Sequence, residues 1–148
     1  MTLQELTERY HKQQIKKYST VPKFAIPKAK FTDKKAGGLT KCITTYIRLM
    51  GGYAERINNM GVWKKEKIID KGTEVFIEKG RYIKPGTRKG IADIKAIKNG
   101  KMVGIEVKIG KDKQSEAQKK IENEMTQAGG HYMIAKSFEN FIKQWKEI

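Results

Sequence analysis

The chain has 148 residues, and 32 Lys/Arg against 16 Asp/Glu give it a formal net charge of +16. This length is typical of one domain whose core is large enough to fold without disulfides or structural metal. The one cysteine, Cys42, has no partner in the sequence, which favours a reducing, intracellular environment. No run approaches the roughly 20 apolar residues that cross a bilayer, and the charged N-terminus does not resemble a signal peptide. We therefore expect a soluble, cytoplasmic protein with no membrane partner.

The positive charge is spread along the whole chain, and an excess of this size predicts a nucleic-acid or other polyanionic partner. A highly charged surface that serves only solubility is the alternative. Residues 1–36 alone carry nine Lys/Arg against three Asp/Glu. We predict a basic N-terminal extension over residues 1–38, with a helix at about 3–17 and then a stretch that Pro22, Pro27 and Gly37-Gly38 interrupt. This extension either contacts phosphates or acts as a solubilising tail.

Residues 39–148 are predicted to form one α/β domain, with a mixed β-sheet flanked by helices on both faces. Apolar residues at helical spacing indicate the helices, and short runs rich in β-branched residues indicate the strands. The predicted elements are, in chain order, a helix at 39–50, a strand at 53–58, a ribbon or loop at 61–90, a hairpin around Asn99-Gly100, a helix at 115–128, a strand at 131–135 and a helix after Ser137.

The hairpin segment, residues 90–110, contains the most informative pattern. Asn-Gly between two strand-like runs favours a two-residue type I′ turn. Counting outward from Asn99-Gly100 places Asp93 opposite Glu106. Because side chains alternate between faces, Asp93, Glu106 and Lys108 should lie on one face, while the apolar residues of both strands lie on the other.

Two facing carboxylates repel each other, because directly opposed side chains have Cβ atoms about 4.5–5.5 Å apart. A divalent cation offsets this repulsion, since Mg²⁺ takes oxygen ligands and commonly uses one or two carboxylates with phosphate oxygens and water. The Val107 carbonyl is a candidate further ligand, and Lys108 is placed to orient or deprotonate an attacking water. The alternative is a solvated polar face on which Lys108 neutralises Glu106.

Taken together, these motifs resemble a known nuclease superfamily. Gly90-Ile91-Ala92-Asp93 followed by Glu106-Val107-Lys108 resembles the PD-(D/E)XK signature, with Ala92 where that signature has proline. Within the superfamily, RINNMG, KPGTRKGIADI, GIEVKIGKDKQSEAQ and AGGHYMIAKSFENF resemble VRR-Nuc domains of phage and prophage proteins in order and spacing. The likeness covers residues 39–141.

The resemblance implies a restriction-endonuclease-like core (αβββαβ) and a Mg²⁺- or Mn²⁺-dependent nuclease that cuts branched or single-stranded DNA, such as Holliday-junction-like structures. It also implies a bacterial cell or a phage-infected host. Under this resemblance Asp93 and Glu106 bind the metal, Lys108 assists the nucleophilic water, and Gln118 lies near the metal site. A homodimer would suit such a protein, because cutting two strands of a symmetric junction needs two active sites.

The sequence departs from the resemblance in one respect. Many relatives carry a glutamate on the first core helix, whereas residues 34–54 contain no Asp or Glu. Either two carboxylates and the Val107 carbonyl suffice, or Glu55 or Glu116 substitutes. The loss also leaves open a catalytically silent DNA-binding module on the same fold. A small basic chaperone or structural protein that binds RNA is a third class compatible with the charge.

Several polar and basic residues are candidates for nucleic-acid contacts, because phosphates are bound mainly by such side chains in loops and at strand ends. They are Arg56, Asn58 and Asn59 at the end of the first strand, Lys84, Arg88 and Lys89 in the loop before Asp93, and Lys111 and Lys113 after Lys108. Ordinary turn chemistry or a solvated charge run is the alternative for each group. Trp63, Phe76 and Tyr82 either stack on unpaired bases or, as we expect, pack within the protein.

Overall fold

The structure of the protein is a computed structural model. It describes residues 1–58, 61–69, 72 and 76–148. The chain divides into two compact units, the first formed by Met1–Ile57 with Gly90–Ile148 and the second by Asn58–Lys89. The helices are α1 (Leu3–Lys17), α2 (Ala36–Leu49), α3 (Glu116–Gln127) and α4 (Phe138–Glu147). The strands are β1 (Tyr53–Arg56), β2 (Val62–Ile69), β3 (Phe76–Ile83), β4 (Ile94–Lys98), β5 (Lys101–Val107) and β6 (His131–Ala135).

The first unit is built on a four-stranded sheet in the order β1-β4-β5-β6. Strand β4 is antiparallel to both β1 and β5, whereas β6 runs parallel to β5. The predicted α/β class and the mixed sheet flanked by helices are therefore confirmed, while the specific nuclease core stays a prediction.

The hairpin of β4 and β5 has the register that its turn predicts. Asn99 has φ 51° and Gly100 has φ 75°, which are the two positive φ values that a type I′ turn requires. Lys98 pairs with Lys101, and the ladder continues to Ile94 opposite Ile105. Asp93 lies one residue before β4 begins, so the extrapolated pair with Glu106 falls just outside the ladder.

The two faces of the sheet are covered by different helices. Apolar residues of β4 and β5, including Ile94, Ala96, Val103 and Ile105, are fully buried in a core with residues of α2 and α4. On the other face, a side chain at Gly104 would meet Met125 of α3. Since Glu106 follows Gly104 by two residues, it shares the face that α3 covers.

The N-terminal segment is part of the first unit and not a separate extension. Leu6 of α1 is fully buried in the same core, and Phe31 packs against that core. Helix α2 also begins at Ala36, so the predicted boundary at residue 38 falls inside a helix. Gly37 and Gly38 lie within α2 and do not interrupt it. The absence of a side chain at Gly38 lets the Thr32 carbonyl approach the helix closely.

The second unit is a two-stranded antiparallel ribbon of β2 and β3. Its register runs from Val62 opposite Ile83 to Ile69 opposite Phe76. A ribbon and an irregular loop were the two structures predicted for this part of the chain, and the structure has the ribbon. Among the described residues, no helix is both long and apolar enough to cross a membrane.

Candidate metal-binding and catalytic site

Three segments of the first unit bring the predicted catalytic residues together. Strand β5 supplies Glu106, the residue after its end is Lys108, and the segment before β4 supplies Asp93. The first turn of α3 supplies Gln118, which is held there by a capping box: Ser115 Oγ accepts the Gln118 N–H, and Gln118 Oε1 accepts the Ser115 N–H. The sequence prediction that these four side chains share one site is consistent with their positions.

The Glu106 carboxylate is the centre of this cluster, and the residue is only 2% exposed. Its Oε1 accepts hydrogen bonds from Gln118 Nε2 at 2.5 Å and from Lys108 Nζ at 3.2 Å. Its Oε2 is buried and has no hydrogen-bond partner among the residues that the structure describes. A buried carboxylate oxygen without a partner is costly, because its desolvation is not compensated.

Burial and charge raise the pKa of Glu106 to about 7 from an ordinary value of 4.5. Desolvation is the largest cause, and the negative charge of Asp93 raises the pKa further. Asp112 raises it as well, whereas the hydrogen bond and positive charge of Lys108 lower it. Lys108 therefore only partly offsets the desolvation of the buried carboxylate, and a further cation beside Glu106 would favour its ionised form.

Lys108 lies at the end of β5, where its backbone N–H donates to the Ala135 carbonyl of β6 at 3.0 Å. Its side chain is 10% exposed, and its Nζ lies 3.4 Å from Asp112 Oδ2 as well as 3.2 Å from Glu106 Oε1. The ammonium group thus bridges the buried carboxylate and an exposed one. Asp112 belongs to the exposed loop after β5.

Asp93 is held by two backbone contacts that fix its position beside β5. Its Oδ2 accepts the Val107 N–H at 3.0 Å, and its carbonyl accepts the Ile57 N–H at 2.7 Å. The half-buried side chain is close enough to Glu106 to raise the pKa of that residue. Val107 therefore contacts Asp93 through its N–H, while the predicted role of its carbonyl as a metal ligand stays a prediction.

The glycine that precedes this segment sets how closely it approaches α3. Gly90 has φ +87°, and a side chain there would overlap the Ala117 backbone in the first turn of α3. Because an L-residue would be both strained and obstructed, only glycine lets the chain pass this close to the helix. The approach brings Asp93 towards the helix turn that carries Gln118.

The donor set partly fits Mg²⁺ or Mn²⁺. Two carboxylates lie close together, and Glu106 Oε2 is a buried acceptor with no partner among the described residues. Hard divalent cations take such oxygen ligands and complete their coordination with water and phosphate. Within the described ranges, no group of three or more His, Cys, Asp or Glu residues is placed to hold a metal ion. The protein thus offers two carboxylates and leaves the other ligand positions to different donors.

Neither predicted substitute for the missing acid joins this cluster. Glu55 is exposed on β1 and pairs in register with Lys95. The Glu116 side chain is 88% exposed and forms an ion pair with Lys119 at 2.7 Å. The absence of a group of three acidic residues in the described chain is consistent with both placements.

The predicted nucleic-acid contacts lie in different places. Lys111 and Lys113 are exposed and flank Asp112, which contacts Lys108. Arg56 is exposed but pairs with Ile94, which places it on the core face of the sheet and not on the face of Glu106. The lysines of the β5–α3 loop are therefore the candidates nearest the cluster in the first unit.

The remaining candidates belong to the second unit or lie outside the described residues. Lys84, Arg88 and Lys89 are exposed in the loop that follows β3, and Asn58 is exposed where this unit begins in the chain. Asn59 lies outside the described residues. Their contacts with DNA stay predictions.

Two residues near the cluster were missed by sequence reasoning. Asp112 follows Lys108 by four residues and contacts it at 3.4 Å, but this spacing predicts a contact only on a helix, so it gave no signal in a loop. Tyr132 of β6 places its buried hydroxyl near Gln114 and Glu106. Desolvation and the charge of Glu106 raise the pKa of Tyr132 well above its ordinary value. Its distance in sequence from the other site residues gave no signal either.

Comparisons with protein-family models, with curated proteins and with solved structures found no match to this chain. The resemblance to VRR-Nuc domains therefore stays a prediction that rests on the quoted motifs.

Proposed function

We propose that this protein is a Mg²⁺- or Mn²⁺-dependent nuclease that hydrolyses DNA phosphodiester bonds at Asp93, Glu106 and Lys108. The observation that carries the proposal is the buried Glu106 carboxylate, whose Oε2 has no partner in the described chain although Asp93 and Lys108 lie beside it. A site that collects two carboxylates and leaves one oxygen without a partner suits a divalent cation. The charge of +16 supplies the attraction for a polyanionic substrate.

The chain's own residues have distinct tasks in this proposal. A bound divalent metal would polarise the scissile phosphate and lower the pKa of a coordinated water. Asp93 and Glu106 would hold that metal, while the Val107 N–H keeps the Asp93 carboxylate in place. Gln118 fixes Glu106 Oε1 through its amide, so that Oε2 remains available. Lys108 would orient the attacking water and stabilise negative charge on the phosphate.

A catalytically silent DNA-binding module on the same fold is the second candidate. The favouring observation is that, among the residues the structure describes, no third acidic residue is placed to hold a metal ion with the two carboxylates. In such a module Lys108 would serve only to neutralise Glu106 and Asp112. For the nuclease, in contrast, we propose branched or single-stranded DNA as the substrate and a homodimer as the assembly.

Cleavage of labelled duplex, single-stranded, flap and four-way DNA with Mg²⁺, Mn²⁺ or EDTA tests the proposal. We expect metal-dependent cleavage that Asp93→Asn and Lys108→Met each reduce by at least about 100-fold, as is typical for loss of a group that acts in the transition state. Lys143→Met, which removes an exposed lysine of α4, is the matched control and should cleave like the wild type. Cleavage that survives both site substitutions would refute the assignment, and DNA binding without any cleavage would favour the silent module.

A further inference from the structure

The second unit carries an aromatic pair in an unusual environment for a soluble protein. Trp63 and Tyr82 lie directly opposite each other in the register of β2 and β3, so both point to the same face of the ribbon. They are 63% and 54% exposed, respectively. The expectation that the rings of Trp63 and Tyr82 are buried within the protein is therefore wrong. The side chain of Phe76, the third ring of that prediction, lies outside the described residues.

Each ring packs against a glycine of the ribbon. A side chain at Gly80 would overlap the Trp63 indole, and one at Gly61 would overlap the Tyr82 ring. Gly80 pairs with Lys65, so it lies on the side of the Trp63–Tyr82 pair that leads towards Ile69 and Phe76. Gly61 precedes Val62, so it lies on the other side of that pair. The two rings thus cover different parts of the ribbon, and more than half of each residue stays exposed.

The face of the rings also carries a positive charge. Of the five Lys/Arg and two Glu in the two strands, Lys65, Lys67 and Glu78 lie on this face. Lys65 and Lys67 follow Trp63 at alternate positions, so they share the face of the rings. Glu78 forms an ion pair with Lys65 at 3.4 Å, but both side chains are more than half exposed, so the pair contributes little to stability and is easily exchanged.

A partner for this surface must combine flat apolar groups with negative charge. A second copy of this basic chain would be repelled by the ribbon's own cations. Unpaired nucleotides fit both properties, because their bases stack on aromatic rings and their phosphates attract lysine. A two-stranded ribbon on its own is only marginally stable, so contact with such a partner would also stabilise it.

We propose that the Trp63–Tyr82 face of the β2–β3 ribbon is a binding site for single-stranded nucleic acid, in which unpaired bases stack on the two rings and Lys65 and Lys67 contact the backbone. Only the identification of this nucleic acid as the substrate rests on the proposed nuclease function. Binding itself requires neither a metal nor the Asp93–Glu106 site.

The test measures binding of labelled oligo(dT) of about 12 nucleotides, a length within known single-strand site sizes, by fluorescence anisotropy in EDTA. We expect Trp63→Ala and Tyr82→Ala each to weaken binding by about 5- to 150-fold, which corresponds to the loss of one stacked base. Trp63→Phe retains a ring and should keep most of the affinity. Phe24→Ala, which removes an exposed aromatic ring from the first unit, is the control and should bind like the wild type.

Tryptophan fluorescence gives a second readout that does not depend on a changed fold. The chain has two tryptophans, and Trp145 is 9% exposed in the core of the first unit. Oligo(dT) should therefore quench the wild type but not Trp63→Phe, whose remaining tryptophan is buried. Unchanged oligo(dT) affinity in both alanine variants, or loss of binding in Trp63→Phe equal to that in Trp63→Ala, would overturn the inference. A concentration-dependent dimer that both alanine variants abolish would overturn it in favour of self-association.

Because EDTA removes the metal, these measurements remain informative if no DNA cleavage is found. Conversely, alanine variants that lose oligo(dT) binding but still cleave duplex DNA would support the ribbon site and the nuclease site separately. Equal oligo(dT) and duplex affinities, with no effect of either ring, would refute the ribbon site alone.

Discussion

At the scale of single residues, the unusual pKa of Glu106 determines how stability depends on pH. A carboxyl whose pKa rises to about 7 in the folded state from 4.5 holds its proton more tightly when folded than when unfolded. The contribution of Glu106 to the free energy of unfolding is therefore fully present below about pH 4.5 and is lost as the pH rises through about 7. The total loss is on the order of 3 kcal/mol, at about 1.4 kcal/mol for each unit of pKa.

We therefore predict that Glu106→Gln, in metal-free protein at about pH 8, unfolds at a higher urea concentration than the wild type, because glutamine cannot ionise. At about pH 5 the difference should nearly disappear. Glu8→Gln, an exposed glutamate of α1, is the matched control and should shift neither curve. Parallel pH profiles for wild type and Glu106→Gln would contradict the burial argument.

Gly90 provides a second prediction at this scale. Gly90 and Gly129 have nearly equal positive φ values of +87° and +82°, but only a side chain at Gly90 would overlap another part of the chain. Both alanine variants should lose about 1 kcal/mol for the strained backbone, and Gly90→Ala should lose at least that much again because Ala117 must move. Urea unfolding of the two variants measures the difference. Equal losses of unfolding free energy in Gly90→Ala and Gly129→Ala would show that the chain at Gly90 is not in close contact with α3.

At the scale of elements, local chemistry explains what could be predicted. Asn99-Gly100 requires a narrow turn geometry, so the register of β4 and β5 followed from two residues. The same register placed Glu106 on the polar face without any knowledge of the rest of the fold. The caps of α3 and α4 at Ser115 and Ser137 were likewise local signals.

The elements that were predicted less well depend on long-range contacts. Helix α1 has many charged residues, so its sequence did not reveal that Leu6 enters the core of the first unit. The exposure of Trp63 and Tyr82 was also hidden, because aromatic residues in strands usually pack against a second layer. Asp112 and Tyr132 came close to the site only through the folding of the β5–α3 loop and of β6.

Burial of Leu6 makes α1 a structural part of the first unit. We predict that Leu6→Ala lowers the free energy of unfolding by about 2–5 kcal/mol, as is typical when a large core side chain is truncated. Lys12→Ala, an exposed change on the same helix, should alter it by less than about 0.5 kcal/mol. Equal, small effects of the two changes in urea unfolding would indicate a detachable N-terminal arm.

At the scale of the whole molecule, the charge of +16 should dominate the response to salt. Lysines that contact phosphate release counterions, so the logarithm of DNA affinity falls linearly with the logarithm of salt concentration. We predict that Lys111→Ala with Lys113→Ala makes this slope shallower by roughly 1.4–1.8, at about 0.7–0.9 per phosphate contact. Lys143→Ala with Lys146→Ala, on exposed positions of α4, is the charge-matched control. An equal change of slope in both double variants would mean that the β5–α3 loop has no special contact.

If Asp93 and Glu106 form one divalent-metal site, calorimetric titration with Mn²⁺ should detect it. At about pH 6, below the pKa of Glu106, metal binding must displace the proton of that carboxyl. We therefore predict a saturable heat whose size varies with the ionisation enthalpy of the buffer. In Glu106→Gln this heat should vanish or become independent of the buffer, while Glu8→Gln should behave like the wild type. No saturable heat in the wild type, or an unchanged titration in Glu106→Gln, would contradict the account.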